Sequence, residues 1–334
     1  MEVELFMKHK SSYFYSLMDL STHSVYFLTA IYLVWFFRYS AACLFTIPLM
    51  SLMTVRTFLI FHDCCHNSYT PNRALNYILS HLTGAFVLTS PNWMLGHSTH
   101  HLTNGHIDNK HHYLFNETVP YTKRKFLLKS KAEQRKYMIL KHPLVFFGIV
   151  PFFYFVFVQR YVFALKKYKH PSAFKQSLFQ ITMVHLINNI LSFVYLYKLY
   201  QYEILPHFFA FALIGSSMAF MLFHNQHTFN PSYVVKDWSM RDSGLRGSSF
   251  IQIPTFLKYF FMGIEYHHIH HMYSKLPGYN LRAYHEETEH DIVELSMSEC
   301  YNNLWLVLYD EENEKYITFD EFYHEPKHIS IKMD

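Results

Sequence analysis

Glycine and charge are both scarce in this chain. Nine glycines in 334 residues is well below the roughly 7% of an average protein. Asp, Glu, Lys and Arg together make up 16%, against about 25% in soluble domains. An ordinary soluble enzyme is therefore disfavoured, and an apolar content of 51% excludes a disordered chain. Four cysteines, Cys43, Cys64, Cys65 and Cys300, are too few and too apolar in context for a disulfide framework. The net charge is only +4 and no basic run resembles a nucleic-acid-binding arm, so no nucleic-acid partner is expected. The N-terminus lacks a basic stretch leading directly into an apolar run and small residues, so no cleavable signal peptide is expected.

Aromatic residues and histidine are abundant instead. The chain has 33 Phe, 27 Tyr and 4 Trp, and its 25 histidines equal Asp and Glu combined. Apolar runs of membrane-spanning length, roughly 20 residues, come in pairs. The first begins near Val25, or at Leu17 if His23 is tolerated, and reaches Phe37; the second runs from Ala41 to Phe61, with Arg56 placed to snorkel. Residues 176–200 and 207–223 form a second pair. Residues 75–90, with His81 inside, are too short to cross and read as interfacial or re-entrant.

A stretch from Lys123 to Lys141 holds eight Lys or Arg against one acid, Glu133, and a second basic linker is Lys166-Lys167-Tyr168-Lys169. By the positive-inside rule both face the cytoplasm, so residues 143–165 between them lie in the interface or dip in and return. Beyond Asn225 nothing is long and apolar enough to span. From Glu286 to Glu325 there are thirteen acids and one basic residue, Lys315, which reads as a solvated acidic surface or a partner-docking one. The expected fold is an all-α membrane protein of two transmembrane helical hairpins, four spans, with interfacial helices and a cytoplasmic cap. Its expected parts, within one domain over residues 1–334, are a first hairpin (25–61), a cytoplasmic stretch (62–141), an interfacial or re-entrant segment (142–165), a second hairpin (176–223) and the cap (224–334).

The histidines cluster where these spans end. His62-Asp63-Cys64-Cys65-His66 closes the second span, and imidazoles four residues apart share a helix face. His97-Ser98-Thr99-His100-His101 sets offsets of three and four from His97, so one turn can feed two neighbouring metal centres. His267-His268-Ile269-His270-His271 repeats that pattern, and His224 and His227 leave the last span. Two spans separate the second cluster from the third, which returns them to one side of the membrane. Eight or nine nitrogens are too many for one ion, so two metals are implied; imidazole suits zinc, copper, iron and nickel alike.

At these residues the chain resembles the integral-membrane fatty acid desaturases of the acyl-lipid, methyl-end type. The family's H-x-x-x-H, H-x-x-H-H and H-x-x-H-H boxes are present in order. The match extends to His100-His101 with Thr103-Asn104, to Gln226-His227-Thr228, to Gly247-Ser248-Ser249-Phe250 with Pro254, and to Tyr266–His271 followed by Pro277, Tyr279, Asn280 and Leu281. Cys65 and Glu265 stand where small residues are usual, and Cys65 is expected to crowd its turn.

The resemblance implies two irons held by His62, His66, His97, His100, His101, His227, His267, His270 and His271, with dioxygen as co-substrate and a lipid-bound fatty acyl chain as substrate. His268 fills a variable position, His224 either joins His227 or hydrogen-bonds at the interface, and Asp63 either orients a ligand imidazole or lies on the helix surface. No haem-binding H-P-G-G motif is present, so the resemblance implies an external donor, a ferredoxin or small b-type cytochrome, and an active site on the cytoplasmic face. A hydroxylase or ketolase on the same scaffold is the nearest alternative. A metal transporter, which would place ligands near mid-span, is the remote one.

Overall fold

Ser12 opens the first long helix. Its hydroxyl accepts the Tyr15 N–H, and the helix then runs over Tyr13–Phe36, earlier than the apolar run suggests. His23 is tolerated inside it because its Nε2 meets Thr57 Oγ1 of the next helix at 3.1 Å. That computed structural model describes residues 2–105, 120–158, 177–235 and 237–324; the linker Lys166-Lys167-Tyr168-Lys169 falls outside them. Among the described residues four helices are long and apolar enough to cross a membrane: Tyr13–Phe36, Cys43–His66, Leu178–Gln201 and Leu205–His227.

The second span is the inner one, 56% buried against 22% for each of the others. Its neighbours present large apolar side chains outward, among them Phe14, Leu28, Phe193 and Phe209, as lipid-facing surfaces do. Arg56 does not snorkel from it. The guanidinium is buried, bonded to the Asp19 carboxylate and the Tyr259 carbonyl, and Tyr69 donates to the other Asp19 oxygen at 2.9 Å. A buried cation stripped of its partner costs ~3–5 kcal/mol. Asp19→Ala is therefore expected to lower the thermal midpoint of the detergent-solubilised protein more than Asp19→Ala/Arg56→Leu does. A double variant less stable than the single would overturn that account.

The short apolar stretch after the second span is the helix Arg73–Phe86, capped by Asn72. Leu75, Tyr77, Ile78 and Leu82 are exposed on it, and the third span holds its other side through Asn188 Nδ2 to the His81 carbonyl and Ser192 Oγ to the Ala85 carbonyl. Gly84 is needed there: a Cβ would lie 2.4 Å from the Thr89 carbonyl and 2.9 Å from the Phe61 ring. The chain then returns as the helix Trp93–Thr103, which carries the second box. Residues 143–158 are also broken, into the helices Pro143–Phe146 and Val150–Phe153 and a π turn at Tyr154–Val158. Their path bends by 65° from the helix Lys131–Lys141.

Beyond the last span the chain folds into a cap of short helices and two small sheets. The acidic segment docks on the basic one. Strand Leu308–Asp310 pairs parallel with Tyr121–Thr122 and antiparallel with Lys315–Ile317. Lys123 meets the buried Asp310 carboxylate at 3.4 Å, and Tyr137 donates to the Val307 carbonyl at 2.7 Å. Phe126, Tyr137, Leu308 and Ile317 form the core between them.

Candidate metal centre

Three helix ends and one short helix deliver the histidines. The second span stays regular through Cys65, so that side chain does not crowd its turn, and the helix stops at Asn67 in the left-handed conformation (φ 55°). His62 and His66 thus lie on its last turn. His97, His100 and His101 follow on Trp93–Thr103, His227 ends the last span, and His267, His270 and His271 lie on His267–Met272.

All nine come together, and all are buried. Ring nitrogens of His62, His66, His97 and His270 lie within 4.8 Å of one another, and so do those of His100, His227, His267 and His271; each group could hold a metal ion. His101 sits at the junction. Its Nε2 is 3.0 Å from those of His97 and His270 in the first group, and its ring stacks at 4.2 Å on His271 of the second. The second and third boxes each feed both groups, because offsets of three and four fan the rings to either side of one helix face.

The nitrogen contacts fit a cation better than hydrogen bonds. His97 Nε2 is 3.0 Å from both His62 Nε2 and His101 Nε2, and His227 Nε2 is 3.0 Å from both His100 Nε2 and His267 Nε2. A ring nitrogen carries one proton or one lone pair and cannot serve two such partners. Two nitrogens each about 2.1 Å from one ion, at right angles, are about 3.0 Å apart. His66 Nε2 is buried without a hydrogen-bond partner beside the first group. Burial, reinforced by neighbouring imidazoles, holds His97, His101, His267, His270 and His271 well below the usual histidine pKa. Near pH 7 they are neutral and offer lone pairs.

The far ring nitrogens are anchored. His62 Nδ1 meets the Asp63 carboxylate at 3.0 Å, and the other Asp63 oxygen accepts the Gly278 N–H at 2.6 Å. His227 Nδ1 donates to the Gly247 carbonyl at 2.9 Å, which also accepts from Asn104 Nδ2 at 3.0 Å. Both bonds turn Nε2 toward the cluster. Asp63 is thus an orienting carboxylate and not a surface acid. Gly247, Asn104 and Gly278 carry roles that spacing alone does not suggest, although Gly247 and Asn104 fall in the G-S-S-F and H-H-x-x-T-N stretches. Asp63→Ala is expected to weaken metal binding by about 10–100-fold; a titration against a chelator showing wild-type affinity would sink the assignment.

Two histidines point elsewhere. His224 Nε2 donates to the Asn303 carbonyl at 2.9 Å. His268 Nε2 lies 3.1 Å from His285 Nδ1, and burial takes its pKa down to about 2. Glu265 is buried, with one carboxylate oxygen unpartnered and its pKa raised by desolvation.

An apolar cleft leads to the histidines. Val55, Phe58, Trp93, Phe155, Ala219 and Phe223 line it, and His62 and His97 of the first group meet His100 and His267 of the second at its end. A further apolar hollow shares Val55, Phe58, Phe155 and Ala219 and continues to Leu88, Phe208 and Ala212 between the spans.

Comparison with known proteins agrees with this arrangement. A fatty acid desaturase of Bacillus subtilis (strain 168) is 28% identical over 312 residues, covering 90% of this chain and 85% of that protein. A probable fatty acid desaturase of Sorghum bicolor is 24% identical over 231 residues, covering 67% of this chain and 57% of its own length. An Arabidopsis thaliana protein, the acyl-lipid omega-3 desaturase (cytochrome b5) of the endoplasmic reticulum, is 36% identical over 53 residues, 16% of this chain and 14% of that one. The fatty acid desaturase family model matches residues 33–300, which takes in the last turn of the first span, the other three spans, the three boxes and His227. With those histidines gathered at the end of an apolar cleft, the chain belongs to the fatty acid desaturase family.

Proposed function

We propose that this chain is an oxygen-dependent desaturase that introduces a double bond into the fatty acyl chain of a membrane lipid, using two irons. The observation that carries the reading is the junction of an apolar cleft with two buried four-histidine groups. Two irons would be held by His62, His66, His97 and His270 and by His100, His227, His267 and His271, with His101 between them. When bound they supply redox chemistry, coupling reduction of dioxygen to two waters with loss of two hydrogens from adjacent methylenes, two further electrons and two protons entering from outside.

The protein's own residues do the positioning. Asp63 and the Gly247 carbonyl fix His62 and His227 with Nε2 inward. Phe58, Trp93 and Phe223 give the cleft an apolar aromatic wall, for which a methylene chain is the best-suited guest. The hollow toward Leu88 and Phe208 gives that chain somewhere to extend beyond the reacting carbons. The basic stretch Lys123–Lys141 supports a cytoplasmic position for the site. An external one-electron carrier completes the reading: among plant relatives, a chloroplastic omega-3 desaturase is named for ferredoxin and the endoplasmic-reticulum enzyme of Arabidopsis thaliana for cytochrome b5.

Expression in a host with a simple saturated lipid profile, followed by double-bond mapping, tests the proposal. A new alkene at one chain position is expected, and an inserted hydroxyl or keto oxygen would replace the desaturase reading with a hydroxylase or ketolase. Ala212→Phe, which fills the far hollow, is expected to shift preference to shorter chains. An unchanged chain-length profile would mean that the chain does not extend there.

A further inference from the structure

We infer that a second apolar cavity, behind the last span, seats an acyl chain of a bilayer phospholipid other than the chain being desaturated. Met218, Met221, Leu222 and Asn225 of the last span line it, at offsets of three, four and seven, so they form one stripe. Ala219, Leu222, Phe223 and Gln226 of the same two turns line the histidine cleft, one residue further on and about 100° around the helix. Leu222 belongs to both cavities and is the wall between them.

The opposite side of the cavity repeats the stripe. Met297, Cys300, Tyr301 and Leu304 again stand at offsets of three, four and seven, on and just beyond the helix Met297–Asn303, while Glu299 and Asn302 fall on its other side. That helix is amphipathic. Of the lining residues Met297 is 53% and Tyr301 64% exposed, and Trp305 and Phe256, which adjoin the lining residues Leu304 and Leu257 in the chain, are exposed too. An apolar rim with Tyr and Trp suits the membrane interface, and the cytoplasmic topology argued above puts this end of the last span there.

The lining also selects the guest. Among the described residues no histidine, acid or base lines the cavity, so it offers no charged partner to a headgroup. Asn225, its one amide, donates Nδ2 to the Met221 carbonyl and leaves a single unpartnered acceptor, Oδ1. An ordered water needs two to four partners, so water is a poor occupant. Three methionines, Met218, Met221 and Met297, give the walls a flexible surface that adapts to a chain without fixed shape. In a membrane the abundant ligand of that chemistry is a phospholipid acyl chain.

Photolabelling tests the inference without reading desaturation. The full-length, iron-loaded protein is placed in phosphatidylcholine nanodiscs containing a trace of phosphatidylcholine with a mid-chain diazirine, irradiated and mapped by peptide mass spectrometry. Adducts are expected within residues 218–225 and 297–304. Filling the cavity with Cys300→Trp, or narrowing it at its exposed side with Met297→Trp, is expected to cut those adducts by about tenfold, the effect of losing about 1.4 kcal/mol of apolar burial. The double-bond position in both variants is expected to match that of the wild type. Adducts confined to outward residues such as Phe14 and Phe45 would overturn the proposal. So would a shifted double bond in either variant, which would make the cavity an arm of the catalytic cleft; absence of any desaturation, with labelling intact, would instead count only against the proposed function.

Discussion

His227→Ala is expected to lower desaturation by on the order of 100-fold or more and to strip the second metal position. Losing even an anchor of a ligand costs about 10–100-fold in metal affinity, and His227 is proposed as a ligand itself. Its Nε2 stands 3.0 Å from two other ring nitrogens of its group, and three imidazoles hold an ion less well than four. His224 is the matched control. It lies three residues earlier on the same helix and is equally buried, but its Nε2 is spent on the Asn303 carbonyl. His224→Ala leaves that carbonyl short of a donor, which costs about 1–3 kcal/mol of stability and leaves metal content unchanged. Elemental analysis of the two purified variants separates the roles. Full metal in His227→Ala would remove it from the site, and loss confined to His224→Ala would exchange the two assignments.

The parts of this molecule that could be read in its sequence are those set by local periodicity. Offsets of three and four say which imidazoles share a helix face, so the chain alone shows that the second box can feed two neighbouring centres, and the folded packing sorts His97 and His100 between them. Apolar run length finds the four spans for the same reason. The contacts that anchor the site are of another kind. Asp63 meets Gly278, Asn104 meets Gly247 and Arg56 meets Asp19, pairs far apart along the chain that only the folded packing brings together. Arg56 shows the consequence: near the end of an apolar run it reads as a snorkelling residue, and its burial depends on an acid in a different span. The acidic tail is similar. Its charge reads first as a solvated surface and only second as a docking one, and the contact it makes depends on two- and three-residue strands at Tyr121–Thr122 and Leu308–Asp310, too short to leave an alternating pattern.

The third box provides the internal test of that helical logic. His267, His270 and His271 stand at i, i+3 and i+4, and His268 at i+1 points about 100° away. The structure follows that geometry: His270 joins the first group, His267 and His271 the second, and His268 turns to His285 with its ring fully buried. Substituting each of the three inward histidines by alanine is therefore expected to lower activity and metal content together, by on the order of 100-fold for activity. His268→Ala is expected to keep its metal and to stay within a few-fold of wild-type activity, while losing thermal stability through the small cavity it leaves. The contrast matters because all four side chains are buried on one six-residue helix, so a general folding defect should strike them alike. Equal loss of metal across the four variants, in protein that still inserts and elutes as a single species, would mean that the box is not read as a helix face and that His268 also reaches the metal.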